Sequence, residues 1–179
     1  FYGCKNLQSI NLENFNSSST KNMVKTFNNC SSLISLDLSS LDTSKVRKMQ
    51  YMFYGCTNLK SLNIANFDTQ NVKDMSYLFS RCKALESINL SHLDTSSVEN
   101  MHNLFSGCES LKWLDLSQLD TSKVTDTSYM FSFCTSLTSL NLSNMFKTNS
   151  VTHMTKMFEH CESLTSINVE NFDTSSVSY

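Results

Sequence analysis

Cysteine recurs at positions 4, 30, 56, 82, 108, 134 and 161, at intervals of 26 residues and, once, of 27. Phenylalanine stands three residues ahead of each, at 1, 27, 53, 79, 105, 131 and 158. Valine or threonine keeps the same rhythm at 20, 46, 72, 98, 124, 151 and 177. A fixed period of this length marks a stacked-repeat architecture, in which no unit buries its apolar stripe alone and each finds cover on its neighbours. One unit reads C-x-x-L-x-x-L-x-L-x-x-(L/F)-D-T-S-x-V-x-x-M-x-x-(M/L)-F-x-x. Residues 1–179 are therefore expected to form a single solenoid of about seven 26-residue coils. The chain opens on FYGC, the end of a unit, and closes on DTSSVSY, inside another, as a slice of a longer array would.

Each unit has two halves. In LISLDL (33–38) and its equivalents, alternation around Leu36, Asp37 and Leu38 predicts a short strand with leucines inward and the aspartate outward. Strands are expected near 9–12, 35–38, 61–64, 87–90, 113–116, 139–142 and 166–169, stacked into a parallel sheet. In the second half, Val46, Met49, Met52, Phe53 and Cys56 make one apolar stripe at the spacing of a short α- or 3₁₀-helix. Asp42, Thr43 and Ser44 precede it and suit an N-cap. The expected class is thus α/β, with strands on one face and short helices on the other. It is preferred to an all-β coil because the second half does not alternate. With no proline and three glycines, turns fall to Asn, Asp, Ser and Thr. NMFKTNSV (144–151) stands where another unit has QLDTSKV, so an extra residue is expected to bulge around Phe146 and Lys147.

The stretch SLDLSSLDTSKVRKMQYMFYGC resembles the leucine-rich repeats of BspA-like surface proteins, and in particular the Mycoplasma-type lipoprotein repeat family of unknown function. The combination of L-x-x-L-x-L, D-T-S-x-V-x-x-M and M-F-x-x-C runs through nearly the whole chain, with departures at Thr26, Thr127 and the Phe146 region. The resemblance implies a cell-surface or extracellular location, adhesion or host binding, and no catalytic residues.

Most conspicuous columns have a structural explanation. Successive cysteines belong to successive coils and point the same way. That suits neither a convergent zinc site nor the disulfide torsion, so buried free thiols are expected. Aspartates at 42, 68, 94, 120 and 173 form a second row in which turn formation explains what calcium would. Histidines 92, 102, 153 and 160 share no column, and no nucleophile accompanies them. No cofactor or metal is expected.

The outward strand positions are more open to function. Their central column holds Asn11, Asp37, Asn63, Asn89, Asp115, Asn141 and Asn168, flanked by serines. Trp113, the single tryptophan, replaces serine in that flanking column and is expected to project beside Asp115. Trp113, Asp115, Asn89, Asn141, Asp37 and Asn63 are the candidate partner-binding residues. Fourteen Lys and Arg against sixteen Asp and Glu give a charge of −2, which argues against nucleic acid and anionic membranes. The expected partner is a protein or glycan on a host or neighbouring cell, without membrane insertion of this segment and with scope for end-to-end self-association. A structural spacer or filament-forming array is the alternative.

Overall fold

The computed structural model describes residues 1–142 and 146–178. Each repeat stacks on the next as a rung of a solenoid. Among the described residues there are four three-residue strands: β1 (Ser35–Asp37), β2 (Ser61–Asn63), β3 (Trp113–Asp115) and β4 (Ser139–Asn141). They pair in parallel, β1 with β2 and β3 with β4, each residue opposite its equivalent one repeat on. Between the pairs, residues 87–90 keep the same inward–outward alternation without strand pairing, and 9–12 and 166–169 also lack it. Of the seven expected strands, four form.

No helix occurs among the described residues. The second half of each unit is instead a run of β-turns. Thr26 N–H donates to Met23 O, Asn28 to Lys25 O and Cys30 to Phe27 O. The alternate amides point elsewhere: Lys25, Phe27 and Asn29 donate across to Gln50 O, Met52 O and Tyr54 O of the next rung. A helix would keep all these bonds inside one segment. The apolar spacing misleads because a β-turn also returns the chain to the same side every third residue.

The first and last of these turns take a left-handed residue at their third position, the arrangement of a type II turn. Two columns supply it. Lys25, Tyr51, Tyr77, Asn103, Tyr129 and Lys156 make one; Asn29, Gly55, Arg81, Gly107, Phe133 and His160 make the other, and φ in both lies between +54° and +74°. This conformation costs a non-glycine residue about 1–2 kcal/mol. Cross-rung bonding offsets it, as in Tyr51 N–H to Ser76 O at 3.1 Å and Phe133 N–H to Glu159 O at 2.7 Å.

The core is a set of stacked columns. The phenylalanine rings from Phe1 to Phe158 lie nearly parallel, with centroids 5.3–6.0 Å apart. Behind them run the cysteines, all free and buried from Cys30 to Cys134. Each thiol donates to the phenylalanine carbonyl of the rung before, Cys56 to Phe27 at 3.1 Å and Cys82 to Phe53 at 3.2 Å. Phe27 O thus serves both its own turn and the next thiol, which explains the F-x-x-C motif. Burial pushes the Cys56 thiol up to about 12 and Cys82 and Cys108 well above the ordinary thiol value. They are packing groups, not nucleophiles.

The D-T pair is explained equally locally. Thr43 Oγ1 accepts Asp68 N–H at 2.7 Å and donates to Asp68 O at 3.1 Å, and Thr69, Thr95, Thr121 and Thr148 donate forward likewise. Each buried hydroxyl fastens one rung to the next. Phe146 and Lys147 obey this order and form no bulge. Phe146 is buried, stacks on Phe172 at 5.8 Å and fills the column of Leu119, while Lys147 N–H donates to Thr121 Oγ1 at 2.6 Å. By count along the chain, the extra residue of this repeat falls between Leu142 and Phe146, at positions outside the described residues.

Candidate partner-binding face

Alternation along the strands turns Leu36 and Leu114 into the core and their neighbours outward. Trp113 follows that rule: its side chain stands on the surface, 55% exposed, opposite Ser139. It shares a depression of about 300 Å³ with Ser87, Asn89, Ser91 and Asp115. Asn141 closes the other flank, its Nδ2 donating to Asp115 Oδ1 at 2.9 Å. Three of the other five candidate residues, Asn89, Asp115 and Asn141, thus gather around the Trp113 indole. Asp37 and Asn63 do not join them; they sit opposite each other on β1 and β2, and Asp37 borders a separate depression with Asn11 and Glu13.

The outward amides and carboxylates are less free than their exposure implies. In Asn11, Asp37, Asn63, Asn89, Asp115 and Asn168, Oδ1 accepts the backbone N–H two residues on, at 2.9–3.1 Å. These are Asx turns that close the strand. Hydrogen bonds from the Ser39 hydroxyl and backbone hold Asp37 below the usual carboxylate range, and the Ser117 backbone N–H does most to hold Asp115 there. What remains for a partner is the second carboxylate oxygen, the outward serines of the strands such as Ser35, Ser61, Ser87 and Ser139, and the indole.

The aspartate row of the D-T-S motif does the same work. Asn16, Asp42, Asp68, Asp94, Asp120 and Asp173 each accept the N–H two residues on. A third such column, Asn22, Asp74, Asn100 and Asp126, was not singled out by the motif. Each coil is cornered by these bonds, and among the described residues no group of three His, Cys, Asp or Glu is arranged to hold a metal ion.

Sequence reasoning also passed over the turn arc's aromatic surface. Tyr51 and Tyr77 stack at 4.4 Å, with the Lys25 ammonium over the Tyr51 ring. Burial and the neighbouring Tyr77 raise the Tyr51 phenol. His102 lies edge-on to Tyr77 and Tyr129, 3.2 Å from the Tyr77 hydroxyl and 3.4 Å from Asp126 Oδ2. The signal was the recurring tyrosine at 51, 77 and 129, spaced by whole repeats.

Among solved structures, the chain is similar to a leucine-rich repeat protein from Bacteroides ovatus ATCC 8483. Identity is 22% over 66% of this chain and 39% of that one, with a TM-score of 0.27. The chain thus matches about two fifths of that protein's length. No curated protein matches it. The family described as "Mycoplasma protein of unknown function, DUF285" matches residues 1–113 and 81–179, which together span all 179 residues. With that pattern met from end to end, the chain belongs to the Mycoplasma protein family of unknown function, DUF285.

Proposed function

We propose that this solenoid is a non-enzymatic binding segment of a cell-surface protein, holding a protein or glycan partner on its strand face with Trp113 as anchor. The observation that carries the reading is the single break in an otherwise serine column, where an exposed indole stands among polar groups. Exposed tryptophan is expensive to keep in water and enriched among residues that dominate binding. The alternative, a spacer with no ligand of its own, draws support from the Asx turns, which give the Asn/Asp column a structural reason to exist.

Binding of fluorescently labelled protein to cultured epithelial cells separates the two. Saturable binding should weaken by about 2 kcal/mol or more in Trp113→Ser, as at other hot spots. The melting temperature should hold, because sister rungs fold with serine there. In the free protein the indole should emit at long wavelength and be quenched by acrylamide. Binding unchanged by the substitution would leave the spacer.

A further inference from the structure

The left-handed column Asn29, Gly55, Arg81, Gly107, Phe133, His160 contains two interior glycines, and they differ. At Gly55 the space for a side chain is already taken, because the Asn29 side-chain oxygen occupies the place of a Cβ. At Gly107 nothing fills it: the nearest atom to a Cβ there is Arg81 Cγ at 3.4 Å. The Arg81 guanidinium leans the other way, over the Tyr54 ring at 5.6 Å. On the far side Phe133 is 46% exposed and stacks on His160 at 4.7 Å. The result is a slot of about 470 Å³ with Gly107 as floor and the Arg81 stem and Phe133 ring as walls.

Its dimensions follow from the rung spacing. Residues two rungs apart are separated by about 9–10 Å, so a ring in the missing rung lies about 4.8 Å from each wall. That matches the Phe133–His160 separation, and an occupant would continue that stack. The rim is polar: Asn103, Glu109 and Glu159 border it. Both carboxylates already meet a lysine, Glu109 with Lys83 at 2.7 Å and Glu159 with Lys156 at 2.7 Å, and each keeps capacity to accept further hydrogen bonds.

From this geometry we infer that the Gly107 slot binds a pyranose ring of a glycan, one sugar face against Phe133 and its hydroxyls on Asn103, Glu109 and Glu159. The C–H bonds on a sugar face carry partial positive charge and meet the negative face of an aromatic ring. A purely apolar side chain would strip water from the polar rim without replacing its hydrogen bonds. This site is on the turn arc and is independent of Trp113.

The test is titration of the labelled protein with methyl glycosides of glucose, galactose, mannose and N-acetylglucosamine, followed by amide NMR. N-acetyl-tyrosinamide is titrated alongside. At least one glycoside should bind saturably in the millimolar range, shifting the amides of Arg81, Gly107 and Phe133. Gly107→Asn fills the slot, and Asn29 shows that the column accepts asparagine at positive φ. Phe133→Asn removes the wall with the same allowance. Each should weaken the sugar by about tenfold or more, with an unchanged amide pattern on distant rungs. Should one variant fail to fold, the other decides. No binding by any glycoside, shifts elsewhere in the chain, binding that survives substitution, or preference for the tyrosine probe overturns the proposal.

Discussion

Along the strand arc, residues sit in ordinary extended backbone, and one rung departs from its neighbours by adding a large side chain, Trp113. Along the turn arc, residues sit at positive φ, and one rung departs by omitting a side chain, Gly107. Extended backbone accepts nearly any residue, so Trp113 can stand where the sister rungs carry serine without disturbing the coil. The turns hold a left-handed conformation that costs each non-glycine occupant strain, so glycine there relieves that strain and opens space at once. A solenoid with nearly identical rungs can therefore write local differences in two ways, as a projection on one arc and as a gap on the other.

If both arcs are packed equally tightly, deleting a core side chain behind either should cost alike. Phe105→Ala behind the turns should lose about 3–5 kcal/mol, and Leu114→Ala behind the strands about 2–5 kcal/mol, both by chemical denaturation. A loss below about 1 kcal/mol at Phe105 would show that the turn arc is loose, and the comparison would fail. The glycines sharpen it further. Gly107→Ala should cost about 1–2 kcal/mol for the left-handed backbone alone. Gly55→Ala should cost more, because the Asn29 side chain must also vacate its place. Equal costs would mean the two gaps are equivalent and the slot is not special.

The smallest effect is common to both arcs. Serine hydroxyl and backbone donors depress Asp42 and Asp94, and the Ser122 backbone N–H leads at Asp120. A folded value below the ordinary 3.8 stabilises the protein above that pH, and the contribution disappears as pH falls through the folded value. The melting temperature should be flat above about pH 5 and decline below about pH 4. Asp94→Asn keeps the acceptor oxygen, as Asn16 does, and should flatten the decline. A decline as steep as in the parent protein would place the acid sensitivity elsewhere.

The period, the inward columns and the outward indole were legible because each depends only on repetition and alternation. Helix and turn were confused because a turn spans three residues, and residues i and i+3 then face inward in both. The distinguishing sign was present: all three glycines, Gly3, Gly55 and Gly107, stand two residues after a phenylalanine, at the left-handed third position of the turn. The extra residue was misplaced because Lys147 breaks the D-T-S motif, while the apolar column continues through Phe146. The engagement of Asp37 and Asn89 was legible in hindsight, since each precedes a serine by two residues, the spacing of an Asx turn. The slot at Gly107 was not, because it depends on which way Arg81 leans.

The amides of Lys25, Phe27 and Asn29 run from one rung to the next along the stack, and their equivalents do so in later rungs. Tension between the two ends of such a stack loads these bonds rung after rung, in series, and peels the terminal rung before the interior yields. Each rung released feeds out 26 residues of slack, roughly 90 Å when drawn straight. Under load the array lengthens by discrete increments while the remaining rungs stay folded. An attachment made through it would yield stepwise under a sudden pull instead of snapping.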